Sequence, residues 1–152
     1  MAVENGISVD AFCTTEDPDI LAAGDCASFP YQGGRIRLES VGNAIDQAEA
    51  AAATLMGVPT PYEAKPWFWS DQYDAKLQIA GLSGGHDAVV TRNNGENSLS
   101  FWYLRGEELL AIDAVNDPRA YMVGKRLIEA GRSVDRAMLE APGTDLKALL
   151  RG

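Results

Sequence analysis

The chain of 152 residues is predicted to be an α+β protein built from two unequal parts. Residues 1–57 contain two short strand-like runs and one stretch whose apolar residues have helical spacing. Three prolines follow within residues 58–66, so residues 58–65 are predicted to be a linker. From residue 66 to residue 152 the apolar residues mostly alternate with polar ones before helical spacing returns. That pattern indicates an antiparallel sheet followed by helices.

Composition and charge restrict the classes of function. With 46% apolar and 23% charged residues, the chain is globular and can bury a core. A net charge of −9 without a basic run argues against a nucleic-acid-binding protein. No apolar run reaches the roughly 18–20 residues that cross a bilayer, and the first ten residues are too polar for a signal peptide. We therefore expect a cytoplasmic protein that binds neither nucleic acid nor membranes.

Cysteine and histidine usage points away from metal or nucleophilic chemistry. Cys13 and Cys26 are not spaced as a redox pair or as zinc ligands, so free thiols are expected. His86 is the only histidine, and no cysteine or acidic cluster at ligand spacing accompanies it. No metal site and no catalytic acid, base or nucleophile is predicted.

The first part is predicted to hold two strands and a helix. Residues 7–12 alternate apolar and polar, and residues 19–24 indicate a strand buried on both faces. Residues 30–37 indicate a loop or an edge hairpin around Gly33-Gly34. A helix is expected from a Ser40 cap to a stop at Gly57. Asp46 and Glu49 are expected to point away from a shared apolar face. That face comprises Val41, Ala44, Ile45, Ala48, Ala52 and Leu55.

The second part is predicted to be an antiparallel meander with helices after it. Turn residues separate four expected strands: 77–82, 88–92, 99–104 and 109–115. Asp117-Pro118 is a typical helix start, and this helix is expected to reach Ala130-Gly131. One or two short helices, capped at Ser133 and Thr144, are expected to finish the chain.

A carboxylate at the end of the 19–24 run suggests a ligand contact. Ala22, Ala23 and Gly24 have little bulk, so a ligand could approach the backbone closely, and Asp25 could accept a strong hydrogen bond. On these residues alone, Asp25 could equally well cap the turn that follows.

Four stretches together resemble a known enzyme family. Thr15-EDPDIL-Ala22-Ala-Gly24-Asp25 matches the Thr-x6-Ala-x-Gly-Asp motif of flavoproteins with two dinucleotide domains. The other stretches are RIRLESVGNAIDQAEAAAATLMG, PWFWSDQYDAKLQIAGL and FWYLRGEELLAIDAVNDPRAYMVGKRLI. Over residues 5–151 the chain resembles the C-terminal part of FAD-dependent NAD(P)H:ferredoxin reductases, of the pyridine nucleotide-disulfide oxidoreductase superfamily, that serve cytochrome P450 and aromatic-ring dioxygenase systems.

The resemblance implies FAD as the cofactor and NAD(P)H as the substrate of a longer parent. Residues 1–57 would be the strand-strand-helix end of an FAD-binding α/β domain, and residues 66–152 the reductase C-terminal domain. The Gly-rich dinucleotide fingerprints of the family are not in this sequence, because Gly81, Gly84 and Gly85 have the wrong spacing. The chain therefore resembles the last third of such an enzyme.

The resemblance also assigns flavin contacts. It implies Asp25, after Gly24, as a partner of the flavin ribityl chain, and Ser40-Val41 as the helix start at the flavin pyrimidine edge. Of the aromatic cluster, Trp69 would stand beside the flavin and face the protein partner. Aromatic clusters are more often core, and we expect Trp67 and Phe68 in the core.

The implied partner is a ferredoxin-type iron–sulfur protein. Arg35, Arg37 and Lys65 could form a basic docking patch together with Trp69. Glu49 stands where members of the family can carry Arg, which suggests a different cognate ferredoxin. Other interpretations stay open: a parent that reduces rubredoxin or another acceptor, or a non-catalytic interaction fragment without flavin. A homodimer is open as well.

Overall fold

A computed structural model describes residues 2–151, which form two compact units. The first unit ends at Pro66, and the second begins at Trp67. Both contain strands and helices, and the second contains a five-stranded antiparallel sheet. The predicted α+β class is confirmed.

The first unit contains a small three-stranded sheet in the order β1-β2-β3. Its strands are β1 (Ile7–Ser8), β2 (Ala27–Tyr31) and β3 (Gly34–Ile36). β1 runs parallel to β2, while β2 and β3 form an antiparallel hairpin. The hairpin turn is Gln32-Gly33, with φ of 45° and 79°, as a two-residue turn between twisted strands requires. The edge hairpin considered for residues 30–37 is confirmed.

The two strands predicted at 7–12 and 19–24 are largely wrong. β1 covers only two residues, and residues 19–24 form no strand apart from a single bridge between Leu21 and Thr14. Side chains close this segment into a loop, because the Asp19 N–H donates to Asp17 Oδ1 at 3.1 Å. Strand β2, which was not predicted from the sequence, begins three residues later and contains a proline, which weakens the strand signal.

Helix α1 (Val41–Leu55) has its predicted ends, and most residues of the predicted apolar face are exposed. Ser40 is the N-cap, and Gly57 follows the helix with φ of 75°. The buried helix residues are Gly42, Asn43 and Gln47. Small and amide side chains allow α1 to lie close to the rest of the unit, and the apolar stripe faces outward.

Part of the segment predicted as a linker packs on the core of the first unit. This core contains Val9, Ala22, Ala27 and Phe29. The ring of Tyr62 meets Phe29 edge-on, with centroids 5.4 Å apart. The Tyr62 N–H also donates to Ala11 O at 2.7 Å. Residues around Tyr62 therefore belong to the first unit.

The second unit is an antiparallel sheet in the order β4-β5-β8-β7-β6. The strands are β4 (Trp67–Gln72), β5 (Ala75–Gly81), β6 (Ala88–Gly95), β7 (Ser98–Arg105) and β8 (Glu108–Val115). The antiparallel prediction is confirmed. The simple meander is wrong, because β5 pairs with β8 and not with β6. The edge strand β4 was not predicted from the sequence, because its run of aromatic residues suggested core packing.

Three helical segments follow the sheet. α2 (Pro118–Glu129), capped by Asp117 as predicted, packs on β8 and β5. A Cβ on Gly124 would lie 2.8 Å from Ile112 Cγ2, so this glycine allows the close approach. α3 (Arg136–Glu140) and a 3-10 turn (Leu146–Leu150) complete the described chain. Their caps are Asp135 and Asp145; the predicted caps, Ser133 and Thr144, are wrong.

Candidate functional site

A buried glycine forms the turn that carries Asp25. Gly24 has φ of 77°, a conformation that side chains other than glycine rarely adopt. Its N–H donates a hydrogen bond to Gln47 Oε1 at 2.7 Å, and a Cβ here would lie 3.3 Å from Ala44 Cβ. Gly24 therefore brings the turn against α1 and holds it there.

Asp25 presents an exposed carboxylate on this turn. Its backbone oxygen accepts a hydrogen bond from the Arg37 guanidinium at 3.1 Å, which holds the main chain. Within residues 2–151, no hydrogen bond or ion pair engages the carboxylate itself. Ala23 and Gly24 add little bulk beside it. The carboxylate is available to a hydroxyl donor, and the small neighbours leave room for one.

The start of α1 offers backbone N–H donors that have no partner among residues 2–151. Ser40 Oγ accepts a hydrogen bond from the Asn43 N–H at 3.3 Å, and the Ala44 N–H donates to Ser40 O. The N–H groups of Val41 and Gly42 precede the first intrahelical bond, so they carry partial positive charge. The Val41 side chain is exposed. This helix start suits an electron-rich ligand edge, as the resemblance implied.

The two arginines of the expected basic patch are bound to acceptors of the first unit. The Arg35 guanidinium donates to Val9 O at 2.8 Å and to Ser28 O. The Arg37 guanidinium pairs with Glu39 in addition to its bond with Asp25 O. Of the two arginines, Arg37 has its charge paired with an acid, whereas Arg35 is held by neutral carbonyl groups. Glu49 is exposed on α1.

Buried amide side chains of α1, which were not predicted from the sequence, support the turn. Besides Gln47, Asn43 donates through Nδ2 to Leu38 O at 3.0 Å and accepts from the Tyr62 hydroxyl at 2.8 Å. Cys13 is buried beside this network, and burial, with the charge of Asp10 second, raises the pKa of its thiol to about 11. The sequence signal for this network was the pair Asn43 and Gln47, two amide residues four positions apart and therefore on one face of the helix.

Trp69 lies on edge strand β4 and stacks on Trp67, with ring centroids 5.3 Å apart and planes 18° apart. Its side chain is 41% exposed. Phe68 is 42% exposed, so its predicted place in the core is wrong; Trp67 is partly buried. A cavity of about 310 Å³ adjoins this stack, lined by Trp67, Trp69, Asp71, Lys76, Gln78 and Tyr121. The aromatic stack offers a rigid, half-exposed surface for contact.

Tyr103 and Asp113 form a hydrogen-bonded pair in the second unit. The Tyr103 hydroxyl donates to Asp113 Oδ2 at 2.7 Å. This bond, followed by desolvation and the charge of Asp113, raises the pKa of Tyr103 to about 12. The His86 ring meets Tyr103 edge-on at 5.2 Å. In the described part of the chain, no three His, Cys, Asp or Glu side chains gather as metal ligands would.

The longest described helix, α1, has 15 residues, and none of the helices within residues 2–151 has the length and apolarity to span a membrane.

Comparison with known sequences identifies relatives over nearly the whole chain. Residues 67–150 match the family model described as "Reductase C-terminal". A 5,5'-dehydrodivanillate O-demethylase ferredoxin reductase subunit of Sphingobium sp. is 45% identical over 149 residues, covering 95% of this chain and 36% of the relative. Rhodocoxin reductase of Rhodococcus erythropolis is 45% identical over 131 residues, covering 84% of this chain and 31% of the relative. The chain thus spans about a third of these relatives.

Solved structures give the same result. The chain superposes on the reductase in a structure titled as the covalent putidaredoxin reductase–putidaredoxin complex with a TM-score of 0.90 and 39% identity. That match covers 99% of this chain and 37% of the other. A ferredoxin reductase for the CYP199A2 system from Rhodopseudomonas palustris gives a TM-score of 0.89 and 41% identity. This match covers 97% of this chain and 37% of the other.

Proposed function

Because the chain belongs to the reductase C-terminal family, we propose that it is the C-terminal part of an FAD-dependent NAD(P)H:ferredoxin oxidoreductase. Such an enzyme transfers a hydride from NAD(P)H to FAD and passes the electrons singly to an iron–sulfur protein. This chain would contribute flavin contacts and a docking surface. It would contribute no general acid or base. The proposal includes a cytoplasmic location and leaves a homodimer open.

The observation that carries the proposal is the exposed Asp25 carboxylate on the Gly24 turn. A carboxylate that the described chain does not pair, flanked by residues without bulk, fits a hydroxylated ligand such as the ribityl chain. Two features favour glycine at position 24. The backbone has a positive φ, and a Cβ would lie only 3.3 Å from Ala44 Cβ. The turn therefore allows a ligand to approach the backbone closely beside the Asp25 carboxylate.

The start of α1 and the aromatic stack supply the other proposed contacts. The N–H groups of Val41 and Gly42, at the helix start after the Ser40 cap, would stabilise negative charge on the pyrimidine edge of a flavin. Trp69, held flat by Trp67, would exclude water from the flavin edge and contact the docked protein.

A ferredoxin-type iron–sulfur protein is the proposed electron acceptor. The relatives are named as ferredoxin reductases or as reductases of individual redoxins, and one structural neighbour was solved with putidaredoxin attached. Trp69 is the proposed anchor of the docking surface. Arg35 and Arg37 are engaged inside the first unit, so they would contribute less to docking than their charges suggest.

A second candidate is an interaction module that holds no flavin by itself. The observation that favours it is that the second unit has its own buried core, while the sequence carries no Gly-rich pyrophosphate fingerprint. Hydrogen bonds from Asp25 and the α1 start, at about 1–3 kcal/mol each, must offset several kcal/mol of lost ligand freedom. We expect the 152-residue chain to bind FAD with a Kd in roughly the millimolar range or weaker.

Trp69 and Phe68 provide a matched test of the electron-transfer function. They are neighbours on β4, are equally exposed, and point to opposite faces of the sheet. In a longer flavoprotein that contains this chain, Trp69→Ala should slow ferredoxin reduction by about tenfold or more. Phe68→Ala should change it little, and both variants should keep the rate of flavin reduction by NAD(P)H. Equal ferredoxin reduction in the two variants would argue against the proposed docking role.

A further inference from the structure

A cavity of about 380 Å³ lies within the second unit, beside the first turn of α2. Its walls come from β6, from the start of α2 and from the segment 143–146, which leads into the 3-10 turn. All of these belong to the second unit, so that unit forms the cavity by itself. The volume is in the range of sites that hold small molecules. The polar lining residues are Arg92, Asn94, Asp117, Arg119, Thr144 and Asp145.

Arg92 brings a buried positive charge to this cavity. The residue is only 9% exposed, and its guanidinium donates to three backbone carbonyl oxygens. Within residues 2–151, Arg92 forms no ion pair with an Asp or Glu, and its Nε has no hydrogen-bond partner. Carbonyl groups are neutral, so they do not supply a counter-ion. Because a buried charge without a counter-ion is costly, an anion in the cavity would be stabilised.

Arg119 provides a second guanidinium at the same cavity. It lies in the first turn of α2 and pairs with Asp145 at 2.6 Å, and both side chains are more than half exposed. An exposed ion pair of this kind contributes little to stability. Arg119 can therefore turn to a bound anion without disturbing the core of the unit. Thr144 lines the cavity as well and adds a hydroxyl donor.

The two carboxylates of the cavity have structural partners. Asp117 caps α2 and accepts a hydrogen bond from Asn94 Nδ2 at 2.5 Å. Asp145 caps the 3-10 turn and pairs with Arg119. In the part of the chain that the structure describes, no third acidic, His or Cys side chain joins them as metal ligands would. These two acids therefore do not form a cation site, and their negative charge weakens anion binding without preventing it.

We propose that this cavity binds a small phosphorylated molecule, with Arg119 as the donor to the phosphate group and Arg92 as the fixed buried charge. A guanidinium can donate two parallel hydrogen bonds to phosphate oxygens, and it stays charged at every physiological pH. The cavity has room for more than one inorganic ion, which favours an organic phosphate over the free ion. The inference does not rest on the proposed function, because it involves neither the flavin nor the electron acceptor.

Titration of the full 152-residue chain with glycerol 3-phosphate, and separately with inorganic phosphate, tests this. NMR near neutral pH, with NaCl adjusted to hold the ionic strength constant, should show saturable shifts of the Gly143 and Thr144 amide signals. We expect a Kd of about 1 mM or lower for glycerol 3-phosphate and a higher Kd for inorganic phosphate. Equal or tighter binding of inorganic phosphate would contradict the proposed ligand class. Absence of saturable shifts with either probe up to about 20 mM would overturn the site itself.

Three variants locate the binding. Arg119→Met should weaken glycerol 3-phosphate binding about tenfold or more. Arg105→Met is the matched control, because Arg105 forms a similarly exposed pair with Glu108 at 2.7 Å outside the cavity lining. Asp145→Asn keeps a capping side chain but removes its charge and releases Arg119, so binding should become at least about threefold tighter. Equal binding in Arg119→Met and Arg105→Met, or weaker binding in Asp145→Asn, would overturn the proposal.

The same titration in a longer flavoprotein that contains this chain tests whether the cavity stays open there. Nucleotide sites elsewhere in such a protein also bind phosphate groups, so only the binding that Arg119→Met removes is counted. We expect that component to have the Kd found for the 152-residue chain. Its absence from the longer protein would overturn the proposal. Neither FAD content nor ferredoxin reduction enters this test, so its failure would leave the proposed function standing.

Discussion

The side-chain oxygen of Gln47 accepts a hydrogen bond from the backbone N–H of Gly24 at 2.7 Å. This bond joins the inner face of α1 to the turn that presents Asp25. Gln47 is fully buried, and within the described residues its Nε2 has no hydrogen-bond partner. The hydrogen bond from Gly24 N–H to Gln47 Oε1 therefore orients the Gln47 side chain, and the position of Asp25 depends on this bond.

Replacing Gln47 by a residue of similar size without an acceptor should loosen this turn. In Gln47→Met the buried Gly24 N–H loses its partner, which should lower the free energy of unfolding by about 1–3 kcal/mol. Hydrogen exchange at the Gly24 amide, followed by NMR, should become faster. Asp46→Asn, at an exposed position of the same helix, is the control. Unchanged exchange at Gly24 in Gln47→Met would show that the bond does not hold the turn.

Helix α1 shows what the sequence could and could not predict. Its cap at Ser40 and its stop at Gly57 follow from local backbone chemistry, which the residues themselves specify. Its buried face depends on what lies beside it, and there the small and amide residues pack while Val41 and Ile45 are exposed. An apolar stripe shows that a helix face needs a partner, but not that the partner lies within the same unit.

The sheets follow the same division between local and distant information. Strands β5 to β8 alternate clearly and have turn residues between them, so they could be predicted. Pairing of β5 with β8 joins distant segments and leaves no local pattern. Proline in β2 and aromatic crowding in β4 concealed two further strands. Small residues before a carboxylate are a local signal, and they drew attention to Gly24 and Asp25, although as the end of a strand and not as a turn. The bond from Gly24 to Gln47 joins residues 23 positions apart.

Arg92 should hold the end of the second unit in place. Its buried guanidinium donates to Leu139 O, to Ala141 O at 3.4 Å and to Thr144 O at 3.2 Å. Arg92→Met removes these bonds, each worth about 1.5–3 kcal/mol when charge-assisted and buried. We expect limited trypsin digestion to cleave the variant faster after Lys147.

Arg119→Met is the matched control for Arg92. Arg119 pairs with Asp145 at 2.6 Å, but both side chains are more than half exposed. Such a pair contributes about 0–1 kcal/mol, so the digestion rate should stay close to that of the original chain. If the two variants were digested equally fast, the account of Arg92 would be wrong.

The two thiols should differ in reactivity. Cys26 is exposed, whereas Cys13 is buried and its thiol pKa is raised to about 11, so Cys13 stays protonated near neutral pH. Ellman's reagent should modify one thiol per native chain quickly and the second only on unfolding. Cys26→Ser should abolish the fast reaction. A fast reaction that remained in Cys26→Ser would place Cys13 at the surface.

The first unit should lose stability in strong alkali. Burial, followed by the charges of Asp46 and Cys13, raises the pKa of Tyr62 from 10.0 to about 12. A phenol with a raised pKa favours the folded state below pH 10.0, and this contribution falls as the pH rises toward about 12.

Tyr62→Phe tests the alkaline effect. The variant should be less stable at neutral pH, because the bond to Asn43 Oδ1 is lost, and should depend less on pH between about 10 and 12. Urea unfolding followed at the α1 amide signals measures both effects. An unchanged pH dependence in the variant would assign the alkaline loss to other groups.

Asp25→Ala and Asp71→Ala, each made in a longer flavoprotein that contains this chain, test whether the Asp25 carboxylate holds the flavin, and the quantity measured is the FAD content. Asp71 is an exposed carboxylate on β4, opposite Lys76, and serves as the control. Loss of a charge-assisted bond costs about 1.5–3 kcal/mol, so Asp25→Ala should weaken FAD retention roughly tenfold or more. Purified Asp25→Ala should be depleted of flavin, whereas purified Asp71→Ala should be loaded with it. Equal FAD in both proteins would show that the Asp25 carboxylate does not hold the flavin.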